Sequence, residues 1–192
     1  MTLKLITAPA TEPVTLPEAK AQCRVDVSDE DSLITALIVA ARQEAEHILG
    51  RALITQTWER VVDAFPDVEL ELGMPPVQSV TSITYVDLAG VTQTLAAPSY
   101  VLDNTLEPGF VLPAAGYTWP ETFDTVNAAR VRFTSGYGAS ASSVPQSIRT
   151  WVLMRVATLY KFREEAAVGV SVTEMPARHL DRLLDPYRVW AA

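Results

Sequence analysis

Residues 48–62 read Ile-Leu-Gly-Arg-Ala-Leu-Ile-Thr-Gln-Thr-Trp-Glu-Arg-Val-Val, and the hydrophobic period changes within this stretch. Before Gly50 the apolar residues recur at helical spacing, whereas after Leu53 the run is typical of a strand. Glycine commonly ends a helix because it adopts the left-handed conformation without strain. The stretch therefore predicts a helix that ends at Gly50 and a β region that follows it.

Two helices are predicted on the N-terminal side of Gly50. Thr15-Leu16-Pro17-Glu18 has the spacing of a capping box, which predicts a short helix to about Gln22. Ser28-Asp29-Glu30-Asp31 is interpreted as the N-cap of the second helix, with three acids over its positive end. The apolar positions of that helix are Ile34, Ile38, Ala41, Ala45 and Ile48, and Leu33, Leu37 and Ala40 widen the stripe.

The residues after Leu53 predict a compact antiparallel β region. Alternating apolar and polar residues, or β-branched runs, are bounded by Pro, Gly and Asp turns. The predicted strands are Trp58–Val62, Val68–Leu72, Val77–Val86, Val91–Leu95, Ser99–Asp103, Phe110–Leu112 and Arg130–Thr134.

Helices are predicted again after the small, polar hinge of residues 136–143. Pro145 opens a helix to about Glu165, and Leu180, Leu183, Leu184 and Tyr187 predict a last short helix. The fold class is therefore α+β, a small helical bundle with an antiparallel β insertion. We expect a discontinuous helical domain of residues 14–51 and 144–187, a β-rich insertion of residues 52–137 and a C-terminal tail of residues 188–192.

Composition limits the classes of function. The chain has 192 residues, 48% of them hydrophobic, one Cys and a formal net charge of −8. A single Cys excludes an internal disulfide framework and fits a reducing compartment. No apolar run approaches the ~20 residues that cross a bilayer, and no signal peptide is expected. Sequence-independent binding of nucleic acid is disfavoured because such binding depends on clustered Lys and Arg.

Charge is unevenly distributed along the chain. Residues 61–129 contain nine acids and no Lys, Arg or His, whereas residues 145–192 contain seven basic and five acidic residues. Either the acids form a solvated face without a specific role, or they form a surface that repels an anion or meets a basic partner.

The residues that most often carry chemistry do not form a recognisable set. Cys23 is interpreted as a small buried residue, and neither His47 nor His179 belongs to a triad pattern. Asp29-Glu30-Asp31 suits helix capping better than a hard cation. Glu69 and Glu71 share one strand face, which any half-buried strand shows.

Residues 136–141, Gly-Tyr-Gly-Ala-Ser-Ala, match a dinucleotide-binding pattern weakly, since Val144-Pro145 precedes the helix. The sequence therefore predicts a protein that is not an enzyme and that has no metal or cofactor site.

The C-terminal residues Tyr187-Arg188-Val189-Trp190 combine aromatic and basic side chains. Tyr, Trp and Arg are frequent anchors of protein interfaces. The tail is therefore a candidate docking segment, and the alternative is that it folds back onto its own domain.

The order of these motifs resembles the head-tail connector, or adaptor, proteins of tailed bacteriophages and phage-derived gene transfer agents. The resemblance covers residues 14–165 and none of its motifs is catalytic. The residues that carry it are 50–58, Pro75–Asp87, Trp119-Pro120, Arg132–Gly138, Val144-Pro145, Ile148, Leu159-Tyr160 and Arg163-Glu164.

This resemblance implies a structural subunit of a ring, expected to have twelve copies, in the neck of a virion or phage-like particle. The implied partners are the portal, a tail-side neck protein and other copies of the chain, which is made in the bacterial cytoplasm. DNA would pass through the ring without specific binding. Tyr187, Arg188 and Trp190 become the expected portal-binding tail.

A closed ring joins two different patches of each subunit. Two arrangements are compatible with the acidic β insertion: it faces the basic C-terminal helix of the next copy, or it lies on the outside of the ring and leaves the lumen to the helices. The expected interface residues are Glu69 and Glu71 on one side and Arg149, Arg155, Lys161 and Arg163 on the other. Two alternatives remain open: another neck component, such as a stopper or tail-completion protein, and a small hydrolase that uses the β insertion.

Overall fold

The computed structural model describes residues 2–162 and 180–189, and the chain divides into two compact units. The β unit comprises Met1–Ala10 and Thr55–Tyr137, and the helical unit comprises Thr11–Ile54 and Gly138–Ala192. Each unit has its own hydrophobic core.

The described part of the helical unit contains three α-helices: α1 (Leu16–Cys23), α2 (Asp31–Leu49) and α3 (Gln146–Lys161). Helix α1 begins with the predicted capping box: the Thr15 hydroxyl accepts the Glu18 N–H, and the Glu18 carboxylate accepts the Thr15 N–H at 2.7 Å. Helix α2 ends as predicted, with Gly50 in the left-handed conformation.

The predicted start of α2 is wrong. Ser28 does not cap the helix, which begins at Asp31 with Glu30 as an N-cap residue that makes no capping hydrogen bond through its side chain. The Glu30 carboxylate instead accepts a hydrogen bond from the Tyr160 hydroxyl of α3, and Asp31 forms a 2.6 Å ion pair with Lys20 of α1. Tertiary contacts between helices therefore occupy the acids that local spacing assigned to the cap.

The core of the helical unit lies between α2 and α3. The predicted α2 residues Ile34, Ile38, Ala41 and Ala45 are buried, but the last buried residue is Leu49 and not the predicted Ile48. Leu33 is 38% exposed, so the apolar stripe that α2 buries is narrower than predicted. The sequence predicts an apolar side of α3 formed by Ile148, Val152, Val156, Leu159 and Tyr160, and it does not include Trp151, which is 2% exposed in the core. The buried apolar residues of these two helices are Ile34, Ile38, Ala41, Ala45, Leu49, Ile148, Trp151, Val152 and Val156.

The C-terminal helical prediction is only partly covered by the described residues. Helix α3 ends at Lys161, four residues before the predicted end, and residues 163–165 lie outside the described part. Within residues 180–189, the structure has a 3₁₀ turn, Asp185–Tyr187, at the end of the last predicted helix. Pro186 is expected to limit the length of that helix because it has no N–H to donate.

The β unit is built from two antiparallel sheets. The five-stranded sheet has the order β1 (Thr2–Thr7), β2 (Gln56–Val62), β8 (Ala129–Ser135), β4 (Val77–Val86) and β5 (Thr92–Thr94). The three-stranded sheet has the order β3 (Leu70–Glu71), β7 (Phe110–Pro113) and β6 (Tyr100–Asp103).

One apolar core joins the two sheets. Strand β8 contributes alternate residues, Ala129, Val131 and Phe133, while Leu70 and Val111 come from the smaller sheet. Each sheet therefore has one face on this core and one face directed away from it.

Two strands differ from the sequence analysis. No element was predicted before Thr15, yet β1 pairs with β2 at the edge of the larger sheet, with Leu5 45% exposed. The strand predicted at Val68–Leu72 has only two paired residues, because the Val68 carbonyl accepts the Trp119 indole N–H at 3.0 Å instead of a ladder bond. The predicted α+β class and the bounds of β4 are confirmed. Within the described residues, none of the helices is both long and apolar enough to span a membrane.

Candidate functional site

The residues considered for catalysis or metal binding do not converge in the described structure. Cys23 is a free, half-buried thiol whose pKa is raised by burial, which keeps it protonated. His47 is exposed on α2, and His179 lies outside the described residues. Residues 2–162 and 180–189 contain no group of three His, Cys, Asp or Glu that is arranged to hold a metal ion.

The glycine-rich segment after β8 packs as a tight turn. A Cβ atom on Gly138 would lie 2.7 Å from the Ser143 Cβ, so only glycine fits there. A 3₁₀ turn, Ala141–Ser143, and Val144-Pro145 separate the segment from α3. The glycine loop therefore does not open directly onto a helix N-terminus, as a phosphate-binding loop does.

The basic residues predicted for the subunit interface have partners within the helical unit. Arg149 forms a 2.6 Å ion pair with Glu18 and donates to the Pro13 carbonyl at 2.9 Å. Arg155 pairs with Glu44 at 2.7 Å.

The other two basic residues predicted for the subunit interface are Lys161 and Arg163. Lys161 lies over the Phe162 ring, 5.4 Å from its centroid, and Arg163 lies outside the described residues. The two arginines thus tie α3 to α1 and α2, and the predicted role of these four residues between subunits stays a prediction.

The most buried charges belong to a cluster on α2. Arg42, 4% exposed, pairs with Glu12 at 2.8 Å and with Glu46 at 2.6 Å, and Glu46 also accepts the Leu53 N–H at 3.0 Å. Burial raises the pKa of Glu12, and the Arg42 guanidinium partly opposes that effect. The cluster therefore joins α2 to the chain before α1, through Glu12, and to the chain after α2, through Leu53.

The acids of residues 61–129 fall into two kinds. Asp87 accepts hydrogen bonds from the Ala89 and Val91 N–H groups and from the Gln93 amide, and these bonds lower its pKa. Asp103 holds the Thr105 turn in the same way. These acids shape turns.

The other kind is represented by Glu69 and Glu71. Both are exposed, beside and within β3, at the edge of the three-stranded sheet. Since Leu70 and Leu72 alternate with them and enter the core, the two carboxylates lie on the outer face of that sheet.

The outer face of the five-stranded sheet carries a basic pair that sequence reasoning missed. Arg130 and Arg132 alternate with the core residues of β8 and are 53% and 45% exposed. Both face Glu59 of β2, at 3.9 Å from Arg130 and 2.9 Å from Arg132. The sequence signal for this pair was the spacing of the two arginines, because residues i and i+2 of a strand lie on the same face of the sheet. We call Glu59, Arg130 and Arg132 the basic cluster.

An aromatic groove of about 650 Å³ lies among the loops of the β unit. Phe65 and Trp119 stack with their ring centroids 4.6 Å apart, and Tyr117 is 53% exposed. Asp67 and Glu121 also line the groove. The groove is open, and its lining combines the stacked aromatic rings with these two carboxylates.

The C-terminal segment is in place as far as residue 189. The Val189 N–H donates to the Leu49 carbonyl at 2.9 Å, and Arg188 pairs with Asp185 at 3.3 Å. Tyr187 is half-buried, and Trp190 lies outside the described residues. The described part of the tail therefore folds back onto the end of α2, which was one of the two alternatives considered.

Comparison with protein families gives a match to the family described as Phage gp6-like head-tail connector protein, over residues 13–82. No curated protein matches the chain.

Solved structures match the full chain. A chain of the virion of a native gene transfer agent (GTA) particle has a TM-score of 0.82 and 25% identity. A chain of the neck of a native GTA particle computed with C12 symmetry has a TM-score of 0.77 and 25% identity. A chain of the neck of an empty GTA particle computed with C6 symmetry has a TM-score of 0.79 and 24% identity, which supports the fold alone.

Each alignment covers 100% of this chain and 97% of the other. The resemblance identified in the sequence is therefore confirmed: the chain is similar to Phage gp6-like head-tail connector proteins over residues 13–82 and to neck proteins of gene transfer agent particles along its whole length.

Proposed function

We propose that the chain is an adaptor, a structural ring subunit that joins the portal of a phage-like capsid to the tail. The observation that carries this proposal is the TM-score of 0.82 to a GTA virion chain. That likeness extends over both units of the chain, rather than over the helical part alone. The role is one of assembly, with no bond made or broken.

A ring of twelve copies follows by analogy with the GTA neck computed with C12 symmetry. A closed ring needs a head-to-tail interface, in which one patch of each subunit meets a different patch of the next. The ring would form in the bacterial cytoplasm or on the assembling particle, and its place is the particle neck.

The charge of the β unit suits a channel through which DNA moves. Each Lys or Arg that neutralised a phosphate would add attraction along a polymer with a charge every ~1.7 Å. Residues 61–129 carry nine acids and no cation, so DNA would pass that surface without being held.

Contacts with the portal are assigned to the C-terminal residues Tyr187, Arg188 and Trp190. The hydrogen bond from Val189 to Leu49 holds the backbone of this segment, so Tyr187 and Arg188 are presented from a fixed position. Preorganised aromatic and arginine side chains lose little conformational entropy when they bind. A tail-side neck protein would contact another surface of the ring.

The test is capture of the tagged chain with the portal protein of the same particle and, separately, with a tail-side neck protein. We expect the portal to be retained, and Tyr187→Ala with Arg188→Ala to weaken that retention by about tenfold or more. Arg182→Ala, an exposed arginine in the same segment, is the matched control and should leave retention unchanged.

Retention of the tail-side protein alone would instead identify a stopper or tail-completion protein. Failure to associate with either neck component would contradict the adaptor proposal. Negative-stain images of the captured complex would count the copies in the ring.

A further inference from the structure

We propose that the basic cluster on the outer face of the five-stranded sheet is the socket of the ring interface, and that it receives Glu69 and Glu71 of a second copy. This inference rests on the proposed ring and names the surfaces that close it.

The socket is a concavity of about 360 Å³ with a polar lining. Besides the basic cluster, it is lined by the exposed Thr92, by the half-buried Thr84 opposite Arg130 in the sheet and by Asn127. Guanidinium and hydroxyl groups are the donors that bind carboxylates. The lining therefore suits a carboxylate ligand.

The charges within the cluster leave one guanidinium available. Glu59 is 7% exposed and bonds closely to Arg132, at 2.9 Å. Its distance to Arg130 is 3.9 Å, too long for a hydrogen bond. Among the described residues, Arg130 makes no closer polar contact, so two cations share one carboxylate and Arg130 keeps donors for another acid.

The acids that fit this socket lie on the other side of the same unit. Arg130 projects from the larger sheet away from the core, whereas Glu71 projects from the smaller sheet away from the same core. A single copy cannot bring these two faces together. Contact between them joins unlike patches of successive copies, which is the interface type of a closed ring.

A second copy is favoured over DNA by the surrounding charge. A duplex would bring many phosphates toward a unit whose residues 61–129 carry nine acids and no cation. The edge of a neighbouring β3 brings two carboxylates to one position, where an excess guanidinium is available.

The test measures self-association of the purified chain by sedimentation equilibrium. Variants reverse the charge of the socket or of the two acids proposed to bind it. Arg130→Glu spares the close Arg132–Glu59 pair, and Glu69→Arg with Glu71→Arg changes only exposed side chains. We expect each variant to associate about tenfold or more weakly than wild type, because each places like charges in contact.

Combining the three substitutions in one chain, or mixing the two variants, should restore association, because each interface again joins opposite charges. Glu121→Arg with Asp124→Arg is the matched control for Glu69→Arg with Glu71→Arg, since both raise the net charge from −8 to −4 on exposed positions of the β unit. Arg182→Glu is the control for Arg130→Glu. We expect both controls to self-associate nearly as strongly as wild type and to form the ring.

Several results would overturn the socket. If wild type forms rings and the exchanged variants form them equally well, the ring proposal stands and the socket is wrong. If wild type does not self-associate even at low salt, the socket does not hold free copies together and is wrong, while capture with the portal still decides the adaptor proposal. If Arg130→Glu abolishes binding of a duplex DNA probe but leaves self-association unchanged, the cluster is a phosphate site instead. Circular dichroism of each variant identifies any loss of fold. If Arg130→Glu does not fold, the self-association of the Glu69 and Glu71 variant decides the test.

Discussion

At the scale of single residues, Arg42 gives the strongest prediction of stability. Its guanidinium is 4% exposed and bonds to Glu12 and Glu46, so Arg42→Met leaves two carboxylates near the interior without their cation. Removing one partner of a buried pair costs about 3–5 kcal/mol. We expect a loss of that size in the free energy of unfolding, measured by urea titration.

Arg155→Met is the control for this change, because the Arg155–Glu44 pair is about one-third exposed on each side. Solvent screens such a pair, and its loss costs about 1 kcal/mol or less. Equal losses in the two variants would show that burial does not set the strength of these ion pairs.

Asp87 predicts a pH dependence of the β unit. Hydrogen bonds from Gln93, Val91 and Ala89 hold the pKa of Asp87 below its ordinary value. The ionised carboxylate therefore stabilises the folded state above about pH 4, and this stabilisation is lost as the pH falls through the lowered pKa. Asp87→Asn should therefore lower the melting temperature at pH 7, and the difference from wild type should shrink at pH 3.

The control for Asp87→Asn is Asp124→Asn, because Asp124 is an exposed aspartate of the same unit that makes no hydrogen bond within the described residues. It should leave the melting temperature nearly unchanged at both values of pH. A difference between Asp87→Asn and wild type that stays constant from pH 7 to pH 3 would contradict the assigned role of the Asp87 carboxylate.

The ion-pair partners of the charged residues could not be predicted from the sequence. Glu18 lies three residues from Thr15, and its capping bond was predicted because local spacing determines it. Arg155 and Glu44 are separated by 111 positions, and only the packing of α3 against α2 brings them together. Arg149 and Arg155 were therefore expected from the sequence to meet acids of the next copy, and the fold gives both of them close partners within the chain.

At the scale of elements, the two predicted helix caps are separable by experiment. Thr15→Ala should cost about 1 kcal/mol because it removes a hydroxyl that accepts the Glu18 N–H. Ser28→Ala should cost almost nothing, since α2 begins at Asp31 without a cap from Ser28. Chemical unfolding of the two variants measures both, and a larger loss for Ser28→Ala would contradict the observed start of α2.

The strands were predicted best where burial and local pattern agree. Strand β4 combines β-branched residues with turns on both sides, and its bounds follow from those signals. Strand β1 was missed because it is held by backbone pairing to β2, with exposed side chains that give no alternation. Strand β3 was overestimated because the Val68 carbonyl serves the distant Trp119.

At the scale of the whole molecule, the class of fold and the resemblance followed from the order of motifs, whereas the assembly surface did not. Arg130 was predicted only as the first residue of a strand, Arg130–Thr134, and its partner Glu59 lies on another strand. The face of a sheet is visible in a sequence, but the strand beside it is not.

Salt gives a prediction for the assembled ring. Charges more than about 10 Å apart are already largely screened near 0.1 M salt, so repulsion between copies of net charge −8 is weak there. Contacts at hydrogen-bond distance, such as Arg130 with an acid of the next copy, keep most of their strength until the screening length falls to about 3 Å at 1 M. Wild type should therefore assemble less completely at 1 M than at about 50 mM salt, as measured by light scattering.

The dependence should be reduced in Arg130→Gln, which removes the charge that the close contact uses and leaves Arg132 paired with Glu59. Net repulsion makes the opposite prediction, because screening it would favour the ring at high salt in both chains. The sign of the change for wild type, and its size in Arg130→Gln, thus distinguish a ring closed by specific charge pairs from one that forms despite its charge.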